Sequence, residues 1–222
     1  MIRLLCFFTL FSFGLCLQAD DGYRLWLKYD LLKNASVRAQ YLPYTQYIAY
    51  SSADPIVQTA ARELQAGLQG LLGKSIRLQN TANAAPGGIG LNLNATPIAS
   101  LGTEGYTLAL QNGRINISSN TPSGLLYGAF DLLRKVQTAT AASKIPGSST
   151  PRVQLRMLNH WDNTNGSIER GYAGASLWKW YELPENIDPR YRDYARANAS
   201  IGINAVVVNN VNASARFMSR EY

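Results

Sequence analysis

The sequence predicts an α/β protein in two parts: an α/β sandwich, then a strand, loop, helix and strand of the kind that builds parallel sheets. Three observations carry this reading. Apolar residues at helical spacing (Ile56, Ala60, Leu64, Leu68 and Leu71, then Leu125, Leu126, Ala129, Leu132, Leu133 and Val136) alternate with short apolar runs bounded by turn residues. A stretch rich in Ala, Ser, Gly and Pro, residues 138–150, has no apolar periodicity and reads as a linker. Beyond it, two apolar runs flank one helical segment. The 222 residues are 46% hydrophobic and 16% charged, enough apolar material for a substantial core and too little charge for a disordered chain.

Residues 1–19 read as a secretory signal peptide. Met1, Ile2 and Arg3 supply its positive start, Leu4 to Leu17 are almost wholly apolar, and Leu17-Gln18-Ala19 offers a cleavage site. The apolar run is shorter than the roughly 20 residues that cross a bilayer. Both cysteines, Cys6 and Cys16, fall inside it, so the exported chain is expected to lack disulfides, thiolate metal sites and cysteine nucleophiles. A periplasmic or envelope-associated location follows as the expectation.

The α/β domain is expected over residues 20–137. Tyr41 to Tyr50 ends as a strand. Asp54-Pro55 starts a helix that stops at Gly73, with the proline just inside it. Ile76 to Leu78 and Ile89 to Leu93 read as short strands separated by a Pro-Gly-Gly loop. Gly105 to Leu110 and Arg114 to Ser118 flank Asn112-Gly113, the strongest short hairpin signal. Thr121-Pro122-Ser123 starts the second helix. From residue 151 on, Val153 to Leu158 reads as a strand, 159–180 as a long polar and aromatic loop, 189–200 as a helix and Ala205 to Val208 as a strand.

The formal charge is +7, but Arg and Lys are scattered, with no basic run interleaved with aromatics. This argues against a nucleic-acid partner; the mildly basic balance reads first as ordinary surface charge, with anionic substrates such as uronic acids as the alternative. His160 is the only histidine, so a multi-histidine metal site is excluded; no G-x-S-x-G nucleophile elbow occurs. Pro86-Gly87-Gly88-Ile89-Gly90 lacks the spacing of a phosphate loop. No cofactor is expected.

The chemistry concentrates just after the first strand of the second part, in Arg156-Met157-Leu158-Asn159-His160-Trp161-Asp162-Asn163 and Gly166-Ser167-Ile168-Glu169-Arg170-Gly171-Tyr172-Ala173-Gly174. Parallel α/β folds place ligand sites at such strand ends. A Trp161 ring can stack on a sugar face, and Asp, Asn and His side chains can bond its hydroxyls. A capped loop with Trp161 in the core and Asp162 merely satisfying turn amides fits the pattern equally. The end of the next strand offers Asn209, Asn210 and Val211 to the same site. Asp162, Glu169, Glu182, Glu185 and Asp188 form no evident acid/base pair of the kind glycoside hydrolysis needs.

These two motifs, with Asp21-Gly22-Tyr23-Arg24-Leu25-Trp26-Leu27, resemble the α-glucuronidases of glycoside hydrolase family 67. Glu104-Gly105-Tyr106 and Gly124-Leu125-Leu126-Tyr127-Gly128-Ala129 are also similar to the accessory domain that precedes the barrel in β-hexosaminidases. The family resemblance implies an N-terminal α/β domain, a catalytic (β/α)8 TIM barrel and a helical C-terminal domain that makes homodimers. It implies inverting hydrolysis of the α-1,2 bond between 4-O-methyl-D-glucuronic acid and the terminal xylose of glucuronoxylan-derived oligosaccharides. By the same resemblance Trp161 walls the glucuronic ring and Val211 sits near the 4-O-methyl group, with His160, Asp162, Asn209 and Asn210 as further contacts.

A complete barrel takes roughly 250 residues, and residues 151–222 hold only two strands and one helix of one. The chain is therefore expected to be an N-terminal fragment, inactive alone, with the catalytic acid and base beyond Tyr222. Two other readings stay open at this point: a non-catalytic carbohydrate-binding module, and a hexosaminidase-like glycosidase reached through the accessory domain.

Overall fold

The structure, a computed structural model, describes residues 20–82, 85–208 and 214–220. The expected signal peptide lies outside these residues, as do Asn209, Asn210 and Val211. In chain order the elements are α1 (Ala35–Ala39), β1 (Tyr47–Tyr50), α2 (Pro55–Leu72), β2 (Arg77–Asn80), β3 (Gly88–Leu93), β4 (Tyr106–Gln111), β5 (Arg114–Ser119), α3 (Pro122–Gln137), β6 (Gly147–Ser149), β7 (Met157–Asn159), α4 (Pro189–Ser200) and β8 (Ala205–Val207). Six strands form one sheet in the order β2-β1-β3-β5-β4-β6, and β7 pairs with β8 in a second. Within the large sheet β1, β2, β3 and β5 are mutually parallel, while β4 runs antiparallel to both β5 and β6.

Local chemistry sets the helix limits. The Asp54 carboxylate accepts from the backbone N–H of Ile56 and Val57, Pro55 occupies the first turn, and Gly73 closes α2 at φ 66°, a left-handed conformation that costs glycine little. Thr121 caps α3 through Gly124 N–H. Asn112 and Gly113 both have positive φ, 51° and 70°, the conformation a tight two-residue hairpin demands. The apolar stripes of α2 (Val57, Ala60, Leu64, Leu68, Leu71) and α3 (Leu125, Ala129, Leu132, Leu133) are buried with Ile48, Ile89, Leu91, Leu108, Ile115 and Ile117 of the sheet. Each of the buried Val, Leu and Ile side chains stabilises the fold by about 2 kcal/mol. Gly124 and Gly128 bring α3 close to the sheet: a methyl group at Gly128 would lie 2.5 Å from Ile117 Cγ2.

Two expectations change. The segment expected as a linker is partly built into the sandwich: Gly147–Ser149 pairs with β4 as an edge strand, Ile145 is fully buried, and Gln40 Oε1 accepts from Ala142 N–H at 3.0 Å. The strand expected at Val153 to Leu158 begins only at Met157. Val153 and Gln154 instead turn their carbonyls to side chains, to Arg156 Nη1 at 2.7 Å and Asn204 Nδ2 at 2.6 Å respectively. Val153 and Leu155 are left exposed.

The helix α4 joins the two parts. Toward the sandwich it presents Arg196, whose Nε donates to Glu63 Oε1 of α2 at 2.7 Å and whose guanidinium lies over the Tyr29 ring. The segment before α1 straps the same side: Trp26 Nε1 donates to Ser200 Oγ at 2.7 Å, and Tyr23 donates to Asp193 Oδ2 at 2.7 Å. Toward β7 and β8 the helix presents Tyr191, Tyr194 and Asn198, which with Trp178, Val206 and Tyr127 line a cavity of about 340 Å³.

Candidate functional site

β7 and β8 are parallel, with Met157, Leu158 and Asn159 opposite Ala205, Val206 and Val207, and His160 N–H extends the ladder to Val207 O at 2.8 Å. The candidate residues therefore stand where two parallel strands end. The chain then folds back on itself: Asp162 bridges Ile168, Ser167 bridges Ala175, Asn163 N–H donates to Ser167 O, and Glu169 N–H donates to Trp161 O at 2.9 Å. Asn163 Nδ2 reinforces this loop through Ser167 Oγ at 3.0 Å and Glu169 O at 2.6 Å. Gly166, Gly171 and Gly174 all have positive φ, which fits the glycine-rich second motif.

The structure separates the candidates by side-chain direction. His160 faces α4: its Nε2 lies 2.6 Å from the Tyr194 hydroxyl, and its ring packs edge-on to Trp178 and obliquely to Tyr194. Asp162 is 2% exposed; its Oδ2 accepts from Ser176 Oγ at 2.5 Å, and Oδ1 stands 3.5 Å from His160 Nδ1. Trp161, between them, is 48% exposed. In extended chain consecutive side chains point to opposite faces, and His160 and Asp162 share the face that Trp161 does not. Trp161 is the residue here free to meet a ligand with its ring.

Trp178, Tyr194 and Ser176 contact His160 and Asp162, with Tyr191 packed behind Trp178; none of the four was among the expected site residues. Tyr191, Tyr194 and Asn198 recur at helical spacing, which is the signal that could have found them. Burial, with the nearby Asp162 charge as a lesser cause, raises the Tyr194 hydroxyl above its ordinary pKa against a lowering hydrogen bond from Asn198. At the start of α4, Asp188 is drawn down to about 2 by the Arg190 side chain and backbone N–H and by Lys179. It caps the helix and stands outside the array.

Arg156, from the first motif, ties the strand pair to the sandwich. Its Nε donates to Gly202 O at 2.5 Å, its Nη2 to Glu104 Oε2 at 2.8 Å, and its guanidinium lies 5.8 Å from the Tyr127 ring centroid. Burial works against ionisation of Glu104, yet the hydrogen bonds from Asn204 and Arg156 and the Arg156 charge outweigh it and hold the carboxyl below its ordinary pKa.

Among solved structures, a 4-O-methyl-α-glucuronidase of family GH115 with specificity for decorated arabinogalactans superposes with a TM-score of 0.52 at 16% identity, over 73% of this chain and 24% of that one. A GH138 enzyme targeting pectin rhamnogalacturonan II superposes at 0.51 and 16%, over 75% and 19%. At such identities the likeness is one of fold. Alpha-glucuronidase A of Emericella nidulans is 31% identical over 94% of this chain, and that of Aspergillus tubingensis 34% over 91%. The chain spans about a quarter of the length of these curated relatives. Residues 25–132 match the model of the glycosyl hydrolase family 67 N-terminus and residues 135–222 that of the family 67 middle domain, and the chain belongs to glycoside hydrolase family 67.

Proposed function

We propose that this chain is the N-terminal domain and one pocket wall of an α-glucuronidase that hydrolyses, with inversion, the α-1,2 bond between (4-O-methyl-)D-glucuronic acid and the terminal xylose of xylooligosaccharides. Family membership supports the glucuronidase reading. The observation that carries the wall is Trp161: its backbone is fixed on both sides at the end of a parallel strand, while its ring remains half exposed. Parallel β7 and β8 with α4 between them are what the opening of a (β/α)8 barrel would supply, following the six-stranded sandwich. In this reading Trp161 stacks on the glucuronic ring and Val211 borders the 4-O-methyl group, with Asn209 and Asn210 beside it.

The general acid and the carboxylate base, separated to admit a water, lie on later strands. The protein is exported, acts on glucuronoxylan-derived oligosaccharides in the periplasm or at the envelope, and dimerises through a C-terminal domain. The test is incubation of the complete enzyme with aldouronic acids, followed by proton NMR. Release of glucuronic acid first as the β-anomer is expected, and Trp161→Ala should lower turnover by orders of magnitude with the circular dichroism unchanged. Unchanged kinetics in that variant would remove Trp161 from the pocket. The 222-residue chain alone is expected to release no glucuronic acid; measurable release would overturn the placement of the acid and base.

A further inference from the structure

We propose that Tyr194, His160 and Asp162 are positioning residues: they form a contiguous polar array that sets the Trp161 ring from behind and do not themselves touch the sugar. The inference rests on the reading of Trp161 as a pocket wall and adds to it the means by which the wall is held. Asp162 is 2% exposed and bonded to Ser176, which leaves its carboxyl no face for a ligand. His160 is turned to the α4 side, with its imidazole between Asp162 and Tyr194. These two residues directly precede and follow Trp161, so whatever fixes their side chains fixes the Trp161 backbone as well.

The array favours one order of donors and acceptors. The Asp162 carboxylate oxygen 3.5 Å from Nδ1 favours a ring proton on Nδ1. Nε2 is then the acceptor of the Tyr194 hydroxyl at 2.6 Å. Through Tyr194 the array reaches α4, and through Arg196 that helix is fastened to Glu63 of the sandwich. A ring that must meet a substrate at fixed geometry gains from such support, because a small displacement of a binding group weakens the contact it makes.

The test uses the fact that His160 is the chain's only histidine, so nitrogen-15 imidazole spectra read this residue alone. The Nδ1–H tautomer is expected in the wild type, and a shifted Nε2 resonance in Tyr194→Phe, which removes only a hydroxyl. With 5-fluorotryptophan incorporated and the Trp161 line assigned through Trp161→Phe, that line should be single in the wild type. It should shift or split in Tyr194→Phe and in Asp162→Asn. A Trp161 line that stays put in folded Tyr194→Phe overturns the proposal.

In the complete enzyme, Tyr194→Phe should raise KM for aldouronic acids severalfold and leave kcat nearly unchanged; unchanged KM and kcat together also overturn it. An inactive wild type would sink the glucuronidase reading alone, because the fluorine spectra still decide whether the array sets Trp161.

Discussion

The guanidinium of Arg156 and the carboxylate of Glu104 meet at 2.8 Å across the boundary between the sandwich and the strand pair, each with less than a fifth of its side chain exposed. Asn204, which leads into β8, donates to both oxygens of the same carboxylate at 3.0 and 3.3 Å. One acidic side chain before β4 thus gathers the approaches to both β7 and β8. Glu104→Gln keeps the shape but leaves the guanidinium without its counter-charge, and it should cost about 2–3 kcal/mol. Urea unfolding followed by circular dichroism reads the loss as a lower midpoint.

The same pair gives a pH dependence. Because the folded Glu104 carboxyl is held below its ordinary pKa, its contribution is fully present above the unfolded carboxyl value near 4.3 and is lost as pH falls through the lowered one. Stability of the wild type should therefore fall more steeply than that of Glu104→Gln on acidification below about pH 4.5. Parallel curves for the two proteins would show that the pair adds nothing.

Trp26→Phe removes the N–H that reaches Ser200 Oγ and keeps an aromatic ring. A single hydrogen bond is worth about 1 kcal/mol net, so amide exchange in the last turn of α4 should quicken by roughly fivefold while α2 and α3 are unaffected. Mass-spectrometric hydrogen exchange measures both together.

Gly124→Ala should destabilise the sandwich although alanine is the better helix former. The added methyl would stand 2.0 Å from Ser119 Oγ and 2.6 Å from Gly105 O, and Ser119 Oγ already donates to that carbonyl at 2.7 Å. Overpacking of about 1–3 kcal/mol outweighs the roughly 0.5–1 kcal/mol gained in helix propensity. Thermal melting should show a lower Tm.

Much of the sandwich was legible because its signals are local. Asp54, Pro55 and Gly73 bound α2, Asn112-Gly113 turns the β4–β5 hairpin, and Pro189 to Ser200 is the observed extent of α4. β6 was not legible: Gly147, Ser148 and Ser149 are all exposed and pair through backbone alone, which leaves no side-chain pattern. The early residues of the expected strand at Val153 failed for another reason. Their carbonyls are claimed by Arg156 and Asn204, one of which is far along the chain and invisible to any local pattern. At the site, the motif around Trp161 was legible, but its division into a ring that faces out and a His160–Asp162 pair that faces α4 depends on Tyr194 and Ser176, which pattern reading does not bring to the same place.

The two-sided engagement of α4 bears on how the polypeptide can be divided. A cut before Ile145 would take that side chain out of the sandwich interior, and a cut anywhere in 138–150 would part Arg196 and Ser200 from Glu63 and Trp26. A cut after α4 would separate β8 from β7. Neither break leaves two self-sufficient pieces, so anyone expressing this region in parts should expect the sandwich to come away with an exposed scar and the helix to need its strap supplied in trans.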